Sequence, residues 1–189
     1  MTQTDTSKPA PHYSKLALFF HWGFVLLFAY GILKQVNDLD QLEETALLRF
    51  EVHFALIFLV FLAMRFFYMT RTQKTALPDN SPAFQKIAAK AAHYGLYISL
   101  ASIALSGLMI AALFALGIKE GFIMGAVIEL HGAAVLLSYW LIGVHVLASF
   151  YHRFRRDGVW NAMVPFWKEA GWKEAGWKEA GWKEAGWKE

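Results

Sequence analysis

Four long apolar stretches, separated by short polar linkers, constrain this chain more than any other feature. They cover about residues 16–33, 50–69, 91–118 and 122–151. The chain is 57% hydrophobic, and because its apolar residues are clumped, they predict membrane spans rather than a soluble core. Spans three and four exceed the roughly 20 residues that a bilayer needs, so we expect tilt or protrusion. Short connections predict an all-α integral membrane four-helix antiparallel bundle over residues 16–165.

Composition removes several classes of protein. The chain contains no cysteine, which excludes disulfides, cysteine-ligated iron–sulfur clusters and covalent haem attachment through a C-x-x-C-H motif. A net charge of +3 could indicate nucleic-acid binding. The mean hydropathy of +0.33 argues against nucleic acid as a partner, and the placement of the basic residues explains the charge better.

The basic residues are distributed unevenly between the two ends of the predicted bundle. One end carries Lys8, Lys15, Arg65, Arg71, Lys74, Lys86, Lys90, Arg153, Arg155 and Arg156. The opposite end carries Lys34, Arg49 and Lys119. Because Lys and Arg are enriched on the cytoplasmic side of membrane proteins, both termini are predicted to face the cytoplasm. Residues 1–15 then form a cytoplasmic N-terminal tail.

Histidines lie at matching depths in these spans. If the spans alternate in direction, His21 shares a level with His145 toward the cytoplasm, and His53 shares a level with His131 toward the outside. His131 and His145 are fourteen residues apart on one span. That spacing is close to four helical turns, so both side chains fall on nearly one face, roughly 21 Å apart. Ionisable residues inside a membrane are costly and indicate function.

Two facing imidazoles at each level predict the axial ligands of two haem irons, in which the porphyrin supplies the other four donors. Zinc usually takes four ligands, and two facing histidines supply only two. Di-iron carboxylate bundles need Glu-x-x-His motifs, whereas Glu51 and Glu129 each lie two residues from a histidine. The alternative is that each histidine only forms a hydrogen bond with a neighbouring helix.

Three further residues are candidates for quinone or propionate contacts, namely His93, His152 and Arg71. His93 could also replace His21 as the partner of His145, and it or His152 could serve proton transfer. Haem propionates need cationic partners; the candidates are Lys15, Arg65 and Arg71 on the inner side and Arg49 and Lys119 on the outer side. For each of these basic residues, ordinary anchoring at the membrane surface is the alternative.

The segment 166–189 is a five-residue repeat that begins Phe-Trp-Lys-Glu-Ala-Gly and continues in Trp-Lys-Glu-Ala-Gly units. Its glycines each cost about 1 kcal/mol in a helix interior, and a period of five moves Trp around a helix rather than along one face. We interpret this tail as an artefactual addition or repeat expansion. The alternative is an interfacial anchor, since Trp and Lys favour the headgroup region.

Several short motifs resemble those of the bacterial cytochrome b561 family. They are His21-Trp22, His53 with Arg65, Ala92-His93-Tyr94-Gly95-Leu96-Tyr97, Leu105-Ser106-Gly107, Leu130-His131, His145, and the segment from Tyr151-His152-Arg153 to Asp157-Gly158. The resemblance covers about residues 12–165, and the repeat tail is outside it. Ala104 stands where a proline often precedes the Leu-Ser-Gly motif.

The resemblance implies a four-helix cytochrome of the bacterial inner membrane with two b haems. It implies axial ligation by His21 with His145 and by His53 with His131, in agreement with the depth argument, and it implies electron exchange with ubiquinone. Our leading hypothesis is a quinone-linked oxidoreductase that takes electrons from an outer donor, with superoxide favoured. The second hypothesis is a membrane-anchor subunit for a partner dehydrogenase or hydrogenase, and the third is a transporter or channel whose histidines relay protons.

Overall fold

The structure is a computed structural model, and it describes residues 13–34, 39–72, 76–77, 81–164 and 166–169. Within these ranges the elements are α1 (Lys15–Leu33), a 3-10 helix (Leu39–Glu43), α2 (Thr45–Thr72), α3 (Ala83–Ala115), α4 (Phe122–Arg155) and a short α5 (Val159–Met163). The four long helices are each long and apolar enough to cross a membrane. The predicted all-α membrane fold is therefore confirmed.

The bundle has two ends that we name by their connections. The tail end contains the starts of α1 and α3 and the ends of α2 and α4, and the loop end is the opposite one. Helices that follow one another in sequence pack most closely, above all α3 and α4. Among the described residues, α1 and α4 meet mainly through side chains, which leaves space between their backbones.

Three helices extend beyond the spans predicted from hydropathy. α2, α3 and α4 contain 28, 33 and 34 residues, so at 1.5 Å per residue each is at least about 42 Å long. The hydrocarbon core of a bilayer is about 30 Å thick. The extra turns are consistent with the predicted tilt or protrusion of spans three and four, and α2 shares this property.

Aromatic and aliphatic side chains hold the first three helices together. One buried cluster contains Phe24 of α1, Phe58 and Leu62 of α2, and Leu100 and Ala104 of α3. The ring centroids of Phe24 and Phe58 are 4.8 Å apart. Outside this cluster, many large apolar side chains are exposed. Such faces imply a lipid bilayer as their partner.

A short helix that hydropathy did not predict follows α4. The chain leaves α4 through Arg156, at φ 56°, and Gly158, at φ 85°. Both angles lie in the left-handed region, where glycine is favoured. The turn directs α5 back toward α1, where the indole Nε1 of Trp22 donates a hydrogen bond of 2.9 Å to the carbonyl oxygen of Met163. α5 thus links the end of α4 to α1 across the space between those helices.

Candidate functional site

Three histidines from three different helices meet near the tail end of the bundle. The ring centroids of His21 (α1) and His145 (α4) are 6.4 Å apart, and those of His93 (α3) and His145 are 5.3 Å apart. Sequence reasoning placed His21 and His145 at one level, and the structure brings their rings together. It adds His93, whose place was left open. We call these three residues the tail-end site.

The 6.4 Å separation of His21 and His145 is informative about ligation. Two imidazoles on opposite sides of one metal ion, each with a metal–nitrogen bond of about 2 Å, have ring centroids roughly 6 Å apart. The Nδ1 atom of His21 is buried and has no hydrogen-bond partner in the structure. A buried nitrogen without a partner is costly, so a bound group that uses this ring is favoured.

A partly buried cation accompanies the tail-end site. Arg65 of α2 lies close enough to act electrostatically on all three histidines. Its Nη1 atom is buried without a hydrogen-bond partner. A buried donor without a partner is unfavourable, and a carboxylate such as a haem propionate would satisfy it. Arg65 was one of several candidates by sequence, and the structure sets it apart from Arg71.

His53 lies near the loop end, beside a cavity of about 350 Å³. The lining residues are Leu48, Arg49, Val52, His53, Leu108, Ala111, Ala112 and Ala115. The Nδ1 atom of His53 is 2.6 Å from the carbonyl oxygen of Arg49. Because a carbonyl only accepts, Nδ1 carries the proton and donates it, which leaves the lone pair of Nε2 available to a metal.

His131 is held in a similar way from the neighbouring helix. Its Nδ1 lies 2.9 Å from the Ser106 hydroxyl. That hydroxyl donates to backbone carbonyls of its own helix, among them Ser102 at 2.5 Å, so it accepts a hydrogen bond from the Nδ1–H of His131. Nε2 of His131 is then the nitrogen left for a ligand. The sequence identified Ser106 only as part of a short motif, and this contact was not predicted.

His53 and His131, which we call the loop-end site, differ from the tail-end pair in one respect. No ring contact joins the two histidines in the described part of the chain, although each has its Nδ1 oriented by a neighbour. Cβ of an alanine at Gly107 would lie 3.6 Å from the His131 ring. An alanine at position 107 would therefore make an ordinary van der Waals contact with the His131 ring.

The other predicted contacts lie apart from these sites or are already paired. His152 is 7% exposed, with Nδ1 2.7 Å from the Asp157 carboxylate and Nε2 3.2 Å from the Gln85 amide nitrogen. Arg71 is exposed at the end of α2, with its guanidinium 5.8 Å from the Phe67 ring centroid. Lys119 is 2.7 Å from the Glu43 carboxylate.

These features define a multi-pass membrane protein with histidines at two depths between its helices. The chain belongs to the prokaryotic cytochrome b561 family, whose model matches residues 12–166. No curated protein and no solved structure matches it. The predicted family is therefore confirmed, and membership implies haem b binding and electron transfer across a membrane.

The residues at the tail-end site fit haem b. The spacing of His21 and His145 matches axial ligation, and the buried Arg65 nitrogen without a partner matches a propionate. Among the described residues, no group of three or more His, Asp or Glu side chains has the arrangement that would hold a bare metal ion.

Proposed function

We propose that this protein is a di-haem b cytochrome that carries electrons across the bacterial inner membrane. His21 and His145 would hold one haem, and His53 and His131 the other. The 6.4 Å spacing of the His21 and His145 rings carries this proposal. The oriented Nδ1 atoms of His53 and His131 support the second haem, since metal-ligating histidines usually donate their other ring N–H to a fixed acceptor.

Haem b, when bound, accepts and releases single electrons. The protein residues would position it and provide charge and protons nearby. Arg65 offers a buried guanidinium nitrogen to a carboxylate at the tail-end site. The His152 imidazole, 2.7 Å from the Asp157 carboxylate, adds hydrogen-bonding groups at the tail end of α4. Ubiquinone is our proposed acceptor there, because its reduction requires protons as well as electrons.

The direction of transfer follows from the distribution of basic residues. Apart from the repeat tail, the sequence predicts ten Lys and Arg on the side of the bundle that carries the termini and three on the opposite side, which supports cytoplasmic termini. The donor would then act at the loop end. Superoxide is the donor that we favour, because Arg49 lines the cavity beside His53 and offers a positive charge to a small anion. Lys119 contributes less, because Glu43 neutralises it.

Stopped-flow measurement of haem reduction by superoxide tests this donor in protein reconstituted with ubiquinone. Arg49→Gln should slow the reduction by about tenfold at low ionic strength, with the effect shrinking as salt is added. Lys119→Gln is the matched control at the same end and should change the rate little. Equal rates for wild type and Arg49→Gln would remove superoxide as the donor.

A second function is favoured by the acidic surface at the loop end. Asp40, Glu44 and Glu120 are exposed there, in addition to the paired Glu43. This surface is suited to a positively charged redox partner, as expected of a membrane-anchor subunit for a dehydrogenase or hydrogenase. Co-purification of such an enzyme, together with absence of quinone reduction by the isolated cytochrome, would favour this function over the first.

A further inference from the structure

The first unit of the repeat tail is packed against the tail end of the bundle. Phe166 and the Trp22 ring are in edge contact, with centroids 5.1 Å apart. The carbonyl oxygen of Trp167 accepts hydrogen bonds from Trp160 Nε1 at 2.5 Å and from Arg153 Nη1 at 3.0 Å. The unit therefore makes specific polar contacts with α4 and α5 as well as apolar ones.

An arginine between two indole rings forms the centre of this contact. The guanidinium carbon of Arg153 lies 3.9 Å from the centroid of Trp167 and 4.9 Å from that of Trp160. The two indoles are also in edge contact with each other, at 5.7 Å. A guanidinium over the face of Trp is among the strongest cation–π pairs. Arg153 and Trp160 thus form a site for a Trp side chain.

The glutamate of the first unit, Glu169, packs against Gly158 and Asn161. Glu169 is only 5% exposed. Its backbone N–H donates to Asn161 Oδ1 at 2.9 Å, and its carboxylate accepts from Gly158 N at 3.3 Å and from Asn161 Nδ2 at 3.4 Å. The Asn161 side chain therefore forms hydrogen bonds with both the backbone and the side chain of Glu169. We call the surface formed by Arg153, Gly158, Trp160 and Asn161 the unit site.

The recognised features recur along the tail. The unit site contacts the Trp ring and carbonyl and the Glu carboxylate and N–H, and Trp-Lys-Glu begins again at 172, 177, 182 and 187. Of the contacts described above, that of Phe166 with Trp22 is particular to the first unit, because glycine precedes each later Trp. Five Lys and five Glu cancel over the tail, so tails of two copies do not repel each other by net charge.

We propose that the unit site is a receptor for Trp-Lys-Glu, and that later units of one chain occupy the unit site of a second copy. Segment 170–189 can extend at most about 70 Å, which is enough to reach a neighbouring bundle in the same membrane. Each exchange displaces a first unit, which competes for the site from its own chain. Once one later unit is bound, the reciprocal exchange between the same two copies is intramolecular, and effective concentration then favours it. This inference does not depend on haem or on the proposed donor.

A labelled peptide with the sequence of 171–181 tests the receptor directly. It should bind, in lipid nanodiscs, to a variant that ends at residue 165, with fluorescence anisotropy as the readout and empty nanodiscs as the blank. A variant that ends at residue 171 keeps its own first unit in place and should bind the peptide at least about tenfold more weakly. Equal binding to both variants, or no binding to either, would overturn the proposal.

Association of the full chain tests the exchange between copies. Two differently tagged full-length copies, co-expressed, should co-purify, and ending both chains at residue 171 should lower the recovered partner at least about fivefold. Arg153→Gln in the full chain, which keeps all units and alters only the unit site, should lower recovery to a similar extent. Recovery that neither change lowers would contradict exchange through the unit site.

Discussion

We propose that both histidine sites hold haem, but the two sites differ in whether their histidine rings contact each other. At the tail end, rings from α1, α3 and α4 already meet around His145. At the loop end, His53 and His131 are each oriented by a hydrogen bond, and among the described residues no ring contact joins the two. The tail-end site is organised by contact between side chains, and the loop-end site by the helix backbones and Ser106.

The difference has a physical origin in the packing of the bundle. His53 and His131 lie on α2 and α4, whose closest neighbour is α3 in both cases. Each loop-end ring is therefore held from its own helix or from α3. At the tail end, α1 and α4 are bridged by α5 through Trp22 and Met163. Variants should consequently affect one site without the other, and the predictions below run from the largest expected effect to the smallest.

Replacing Arg65 should affect the tail-end site most strongly. Arg65→Met removes a guanidinium with a buried nitrogen that has no partner, and loss of a charge-assisted hydrogen bond to a propionate costs about 1.5–3 kcal/mol. Haem affinity at the tail-end site should fall by about 10–100-fold, as measured by haem titration of the apoprotein. The exposed Arg71→Met is the matched control on the same helix. Equal losses from both variants would contradict the role of Arg65.

Replacing Ser106 should also lower haem affinity, at the loop-end site, but by less than the replacement of Arg65 does at the tail-end site. Ser106→Ala removes the acceptor of the His131 Nδ1 proton, and loss of such an outer partner typically lowers metal affinity by at least about tenfold. The reduction potential of one haem should change while the other stays constant in a redox titration. Ser99→Ala is the control, because Ser99 is buried on the same helix and its hydroxyl donates to the Leu96 carbonyl of that helix.

Replacing Trp22 tests the bridge between α1 and α5. Trp22→Phe keeps an aromatic ring beside Phe166 but removes the bond to the Met163 carbonyl. The free energy of unfolding should fall by about 1 kcal/mol, measured by thermal unfolding in detergent. Phe19→Tyr, at an exposed ring elsewhere on α1, should leave stability nearly unchanged. A stable Trp22→Phe protein would show that this bridge is dispensable.

The two ends should respond to pH in opposite directions. Burial raises the pKa of Glu169 above its ordinary value of 4.5, so its packed position is most stable at low pH and weakens as pH rises through the raised value. At the loop end, the hydrogen bond from Lys119 lowers the pKa of Glu43. That link is fully formed above pH 4.5 and is lost as pH falls through the lowered value.

Hydrogen exchange with correction for intrinsic rates measures both segments in one experiment. Protection around residue 169 should decrease as pH rises above 4.5, while protection around residue 43 should decrease as pH falls below 4.5. The matched variant Glu169→Gln should remove the pH dependence at the tail end only. Parallel changes at both ends would contradict the assigned causes.

Much of the fold follows from sequence because long apolar segments are a strong and local signal. α1 begins one residue before the predicted span, and α4 begins at the predicted residue 122. α5 was missed because a five-residue helix after Gly158 has too short an apolar pattern to recognise. The prediction that residues 166–189 form a separate tail stays a prediction, and its later units lie outside the described residues.

The sequence predicted the depth of each histidine in the membrane, but it did not predict which side chains contact one another. Depth follows from position along a span, so His21 and His145 could be paired. Neither Ser106 beside His131 nor His93 beside His145 follows from spacing, because each contact depends on how α3 is rotated against α4. Likewise Arg65 and Arg71 are six residues apart, roughly 120° around the helix, and sequence alone does not show which of them faces inward.

Haem stoichiometry tests the central claim most directly. The purified chain should contain two haem b per polypeptide by pyridine haemochrome assay, with a reduced-minus-oxidised spectrum of low-spin, six-coordinate iron. His145→Ala and His131→Ala should each remove about one haem, from the tail-end and the loop-end site respectively. One haem or none in the wild-type protein, or two haems retained in both variants, would contradict the account.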